Sequence, residues 1–282
     1  PPMKPPRTIQ EWIHWMEMGA GARWLGRGAL LLGVGLFSLL VAYKQFRGPL
    51  EESVFLQADL GRQLMSGHGF TTLVNYPQTA ALLEKLPGGW DSEQPFPELT
   101  QPPLYAMCIA VVLALLPAQS WLVPPVAPGG VAADYGLLAA NLLLLWCAAG
   151  QTWLLAKRLF DVQTAMLAML ALLLSATVWS ETVAVNGTPL MMVLLLGVFQ
   201  CRAAAESARS AGRAVWPWLV GAGLGAGLLF LCDYTTAFLL PVLAVEAAWN
   251  ESGPRRWLAA VVIFGAALLA AGPWAMRNLE WT

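Results

Sequence analysis

Residues 48–70 read GPLEESVFLQADLGRQLMSGHGF and residues 97–105 read PELTQPPLY. How the whole segment Pro49–Tyr105 is read decides the fold. It carries Glu51, Glu52, Asp59, Glu84, Asp91, Glu93 and Glu98, seven of the chain's 17 acidic residues. Gly48-Pro49 closes one apolar run and starts a new helix. Glu51 and Glu52 fall in the first turn of that helix, where a carboxylate meets free backbone N–H groups and the positive end of the helix dipole. Val54, Phe55, Leu56, Leu60 and Leu64 give the helix an apolar side suited to a membrane surface. Asp59, seven positions after Glu52, shares its face. Gly67-His68-Gly69-Phe70 ends the helix, because glycine adopts the left-handed conformation that breaks it.

Working outward, the rest of the chain is lipid-compatible. Of 282 residues, 57% are hydrophobic and 12% charged, with mean hydropathy +0.58. Soluble domains carry about 25% charged residues, so a water-soluble fold is excluded. The net charge of −1 provides no basic field for nucleic acid. Cys108, Cys147, Cys201 and Cys232 lie in or beside apolar runs at spacings of no metal motif, and read as small buried hydrophobes. Arg23 and Arg27 precede the first apolar run and no small-residue cleavage site follows it, so the run reads as a retained span.

The composition predicts an all-α polytopic membrane protein with seven transmembrane helices: Trp24–Tyr43, Tyr135–Ala156, Val162–Trp179, Val183–Cys201, Val215–Cys232, Tyr234–Trp249 and Trp257–Trp274. The run Leu104–Val123 fixes the topology. If it lies in the interface, then Lys4, Arg7, Arg23, Arg27, Lys157, Arg158, Arg202, Arg209, Arg213, Arg255 and Arg256 fall on one side. These are eleven of the 16 basic residues. If it crosses, the split reverses. Cytoplasmic loops carry the Lys/Arg excess, which favours the non-crossing arrangement with a cytoplasmic N-terminus. Residues 1–22 then form a cytoplasmic interfacial arm rich in tryptophan, which also offers a docking surface for partner membrane subunits. Residues 23–282 form one transmembrane module, with 48–131 as the first extracytoplasmic loop and an interfacial helix near 104–123. Gly221, Gly223, Gly225 and Gly227 form two interleaved GxxxG pairs for close helix approach. No span shows an interior charge pair, which counts against a transporter.

The order of four motifs resembles the GT-C class of membrane glycosyltransferases, in particular the lipid A aminoarabinose transferases and the protein O-mannosyltransferases. The helix end Gly61–Phe70 resembles the family's "G-x-G-F" turn, and Gln101-Pro102-Pro103-Leu104-Tyr105 its "H-P-P-L-Y". Ala156–Asp161 resembles a basic "A-R-R-L-F-G" connector, and Pro273-Trp274-Ala275-Met276-Arg277-Asn278 a "P-W-x-x-R-N" element. The resemblance implies transfer of a hexose or pentose from a polyprenyl-phosphate donor to an acceptor hydroxyl, at the extracytoplasmic face of a bacterial inner membrane. It implies a carboxylate base among Glu52, Glu51 and Asp59. Arg277 and Arg62 would hold the donor phosphate, and Gln101, Tyr105, His68 and Glu181 would line the substrate site. No cofactor is named, and a divalent metal stays open. The chain departs from the family where Ser53 occupies the usual acid position, Gln101 replaces histidine and Thr188 stands for a second acid. It also stops at Thr282, where family members continue. These departures fit a reduced or incomplete member, and a second reading: a non-catalytic GT-C-fold subunit serving as a structural part of a larger membrane complex.

Overall fold

A computed structural model describes residues 8, 20–48, 51–74, 96–117, 132–251 and 253–280. All of the expected interfacial arm but residues 8 and 20–22, the acids Glu84, Asp91 and Glu93, and the end of the run Leu104–Val123 lie outside the described residues. The chain forms two compact units, residues 1–46 and 47–282. In the first, helix α1 (Ala20–Gln45) covers the expected first span and exposes Leu32, Leu36, Leu39 and Leu40, as a lipid-facing helix does.

The second unit is a helical bundle with two helices across one end. Its elements are α2 (Glu52–Met65), α3 (Pro103–Ala114), α4 (Ala132–Leu159), α5 (Val162–Leu173), α6 (Ala176–Val183), α7 (Thr188–Ser210), α8 (Trp216–Cys232), α9 (Leu239–Trp249) and α10 (Arg255–Leu279). A two-residue ribbon pairs β1 (Thr71–Thr72) antiparallel with β2 (Phe96–Pro97), and a 3-10 turn at Tyr234–Phe238 leads into α9. Among the described residues α4, α7 and α10 are long and apolar enough to cross a membrane, and the bent pair α5–α6 makes a fourth. The chain is an all-α polytopic membrane protein.

Seven spans are expected; among the described residues α8 and the segment Tyr234–Trp249, a 3-10 turn followed by the 11-residue α9, are shorter apolar helices. Two further spans differ in detail. Val162–Trp179 is not one straight helix: α5 and α6 meet at 53°. Ser175 starts α6 by accepting the Val178 N–H, and the Trp179 indole N–H donates to the freed Leu173 carbonyl at 2.6 Å. The groups exposed by the break are thus satisfied locally, as a break at membrane depth requires. The span expected at Val183–Cys201 begins at Thr188 and continues to Ser210. This shift brings Arg202 into the helix, where it pairs with Glu246 of α9. Arg209, one to two turns on, meets Glu206 and Glu251. The stretch RAAAESARSAGR is therefore mostly helix rather than a loop. An interhelical charge pair is present where the sequence suggested none.

The bundle core joins α7, α8, α9 and α10 through Val198, Leu219, Leu229, Leu243, Ala247 and Ile263, all buried. The four glycines of α8 divide between two partners, because positions four apart share a helix face and positions two apart do not. A Cβ at Gly223 or Gly227 would lie 2.5 Å from the Ile263 carbonyl oxygen or 2.6 Å from that of Ala267, both on α10. At Gly221 or Gly225 it would meet Cys201 Sγ at 3.0 Å or Val198 Cγ2 at 2.7 Å, both on α7.

Across the end of the bundle, α2 packs on α3. A Cβ at Gly61 would stand 2.5 Å from Ile109 Cγ2. Helix α2 ends at Met65, with Gly67 and Gly69 at φ 81° and 72°. Pro103 sits at the first position of α3, where its missing N–H costs nothing. The 12-residue α3 is about 18 Å long at 1.5 Å per residue, against a hydrocarbon core of about 30 Å. Tyr105, near its start, bonds Asn141 of α4, and Leu116, just past its end, packs on Gly136 of the same helix. Both ends of α3 thus meet the first turns of α4.

Candidate functional site

Where α2 and α3 meet the ends of α7 and α8, a cleft of about 260 Å³ opens. Ser53, Gln57, Gln101, Tyr105, Asn186 and Asp233 supply its polar lining, and Val54, Met191 and Cys232 its apolar one. Each wall follows from local sequence. Glu98 is 2% exposed, and its Oε1 accepts from the Thr100 N–H (2.7 Å), the Thr100 hydroxyl (2.5 Å) and the Gln101 N–H (2.9 Å). That turn presents Gln101 and Pro102 to the cleft. The Tyr234 hydroxyl donates to the Gln101 carbonyl (3.3 Å) and accepts from the Trp274 indole (2.8 Å). Gln57 Nε2 donates to Gln101 Oε1 (3.2 Å) and to the Pro102 carbonyl (3.3 Å). Gln57 Oε1 is buried without a hydrogen-bond partner.

The opposite wall, between α6 and α7, is held in a strained shape. Val185 has φ 61°, which for a β-branched residue occurs only when surrounding contacts enforce it. The Tyr105 hydroxyl donates to the Val185 carbonyl at 2.5 Å, with Asn141 Oδ1 3.2 Å from the same hydroxyl. Asn141 Nδ2 donates to the Asn186 carbonyl (2.8 Å). Glu181 Oε2 accepts from Asn186 Nδ2 (2.7 Å) and the Thr188 hydroxyl (3.1 Å). Burial pushes the Tyr105 phenol far above its ordinary range, against the smaller opposing effect of Asn141, so it stays a donor. A Tyr105→Phe exchange is expected to release this turn and cost about 1–3 kcal/mol, the penalty for leaving a buried carbonyl unpaired. Thermal unfolding in detergent measures it, and a shift no larger than that of a surface substitution would remove Tyr105 from this role.

The sequence-derived candidates divide. Gln101 and Tyr105 line the cleft, and Glu181 braces Asn186, which lines it. Glu51 caps α2 without a side-chain bond, and Glu52 follows in its first turn; both are exposed and neither lines the cleft, although the neighbouring Ser53 does. Asp59 is buried, with Oδ2 accepting from the Thr72 hydroxyl (2.9 Å) and the Leu73 N–H (3.0 Å). It fastens the strand after α2. His68 is exposed at the helix end, and Arg62 lies half-buried in the last turn of α2. Arg277 donates to the carbonyls of Glu98 (2.7 Å) and Phe70 (2.9 Å) and stacks on Trp274 at 4.7 Å. The cleft lining therefore includes neither of the two arginines. Among the described residues, no group of three or more His, Cys, Asp and Glu side chains stands together as a metal site.

Several lining or bracing residues were not nominated from sequence, among them Gln57, Asn141, Asn186 and Asp233. Asn141 carried a signal, an amide inside the run DYGLLAANLLLL, because polar groups at membrane depth are costly and seldom idle. Gln57 and Asn186 carried none, since each is an ordinary polar residue until folding turns it inward.

No curated protein and no solved structure matches the chain. The family model described as dolichyl-phosphate-mannose-protein mannosyltransferase matches residues 129–276, from α4 to near the end of α10. That match covers more than half of the 282 residues and includes the walls supplied by Asn186 and Asp233. The chain belongs to the dolichyl-phosphate-mannose-protein mannosyltransferase family, a family of GT-C-type membrane glycosyltransferases.

Proposed function

We propose that the chain transfers a sugar from a polyprenyl-phosphate donor to an acceptor hydroxyl, in the cleft under α2 and α3. The observation that carries this reading is the cleft itself: amide, hydroxyl and carboxylate groups converge at the end of a lipid-facing bundle. Such groups suit a polyhydroxylated ring, while the polyprenyl tail stays in the bilayer. The volume is just under the roughly 300–1,000 Å³ of pockets for drug-sized ligands, a size suited to one sugar ring. The basic excess on the opposite side supports an extracytoplasmic position for this end, and the two ends of α3 meeting one end of α4 support a helix that lies in the membrane plane. In a bacterium the membrane is the inner one, with the N-terminus cytoplasmic.

Reconstitution of the full chain in liposomes with labelled polyprenyl-phosphate hexose or pentose tests this. The expected result is label on an acceptor alcohol, with release of the lipid phosphate. The second reading, a structural subunit, is favoured by one observation: Glu51, Glu52, Asp59, Arg62 and Arg277 all stand outside the cleft lining. Stable co-purification of partner membrane proteins, with no transfer from any donor, would establish it instead.

A further inference from the structure

We infer that Asp233, at the C-terminal end of α8, is the catalytic base of this cleft, in place of any acid on α2. The inference rests on the transfer reading and goes further by assigning the proton. Among the described residues, Asp233 is the one carboxylate in the cleft lining. Its Oδ1 accepts the Thr235 N–H at 2.8 Å, which orients the group and leaves Oδ2 without a hydrogen-bond partner among the described residues. Among the described residues no lysine or arginine lines the cleft and none pairs with this carboxylate.

The other described carboxylates at this end of the bundle, Asp134 and Glu280 among them, are outside the cleft lining or already engaged. Glu51 and Glu52 are exposed outside it. Asp59 holds Thr72 and Leu73, Glu98 holds the Thr100–Gln101 turn, and Glu181 holds Asn186 and Thr188. The amide beside this carboxylate is part of the cleft wall. Gln57 is 8% exposed, lines the cleft, and has Oε1 buried with no partner. That oxygen leaves no room for a ligand hydroxyl, so Gln57 serves the cleft through its Nε2, which holds Gln101 Oε1 and the Pro102 carbonyl.

In the step this assigns, the acceptor oxygen forms a bond to the anomeric carbon as its proton passes to Asp233. The bond from that carbon to the phosphate oxygen breaks, and the lipid phosphate leaves with the electron pair. Gln57, by holding Gln101 and Pro102, fixes the wall beside the base, a positioning role.

The test compares Asp233→Asn, Asp233→Glu and Glu52→Gln in the liposome assay. Asparagine is as good a cap as aspartate, so Asp233→Asn keeps the Thr235 contact, and its elution profile and unfolding temperature are expected to match the parent. Its kcat is expected to fall about 100-fold or more, within the range a general base contributes, with KM little changed. Asp233→Glu, which restores a carboxylate on a longer arm, recovers part of the rate, and Glu52→Gln stays within about threefold of the parent. A Glu52→Gln loss with Asp233→Asn active would overturn the assignment and leave sugar transfer standing. A change in KM alone for Asp233→Asn would also overturn it, making Asp233 a binding group. If Asp233→Asn loses its fold, an inactive but folded Asp233→Glu counts against the assignment and an active one supports it. A parent protein that transfers no sugar refutes this inference together with the reading beneath it.

Discussion

Leucine at Gly223 or Gly227 is expected to cost 3 kcal/mol or more, the upper end of the overpacking range or beyond. The first added atom alone would stand 2.5 Å from the Ile263 carbonyl at one site and 2.6 Å from the Ala267 carbonyl at the other. Both obstacles are backbone, which cannot turn aside like a side chain, so α8 and α10 must separate. The separation would open the core around Leu219, Leu229 and Ile263, each 1% exposed or less. The sites differ from Gly221 and Gly225, where the obstacles are the side chains of Cys201 and Val198 and rotation relieves part of the clash. Alanine at Gly225 is therefore expected to cost less than alanine at Gly223. Thermal unfolding of the four alanine and two leucine variants in one detergent gives the ranking. Equal shifts at 223 and 225 would show that backbone contact with α10 does not limit the packing.

Arg277→Ala is expected to destabilise the second unit by about 3 kcal/mol. Its guanidinium bonds two carbonyls, Phe70 and Glu98, that face each other at one end of the β1–β2 ribbon, one beside each strand. Hydrogen bonds to a charged donor contribute about 1.5–3 kcal/mol each, and partial exposure of this group argues for the lower end of that range. The Phe70 and Trp274 rings, in edge contact at 4.9 Å, lose the cation stacked on them as well. Lysine cannot reproduce the fork that reaches two carbonyls at once, so Arg277→Lys is expected to recover no more than half of the loss. The donor-phosphate role expected from sequence makes a different prediction: a raised KM for the lipid donor, with the unfolding temperature unchanged. Measuring both quantities on both variants separates the roles.

Much of the framework was legible in the residues. The apolar runs placed the helices, since a backbone in lipid must satisfy its own hydrogen bonds and a helix does so within one segment. Gly67 and Gly69 marked the end of α2, and Pro102-Pro103 the start of α3. The GxxxG pairs announced close approach but not their partners, because periodicity gives a helix two faces and leaves open which neighbour each one meets. The break between α5 and α6 was invisible for a similar reason. A serine in an apolar run is neutral evidence until its hydroxyl is seen to cap Val178.

The candidate site was less legible. Sequence determined that acids, amides and an aromatic gather near one end of a membrane-spanning bundle, because charged and polar residues are excluded from the spans between. Only the tertiary structure decided which of them share a cleft. Asp59 and Glu52 lie seven residues apart on one helix face, yet Asp59 is buried against Thr72 while Glu52 is exposed. Asp233 is 180 residues along the chain from Ser53 (233 − 53) and faces the same cavity. The spacing of residues along one helix sets their relative angle. Which side chains meet across the cleft depends on how separate helices pack, and that is fixed by contacts far apart in the chain, such as Tyr105 with Val185 and Gly223 with Ile263.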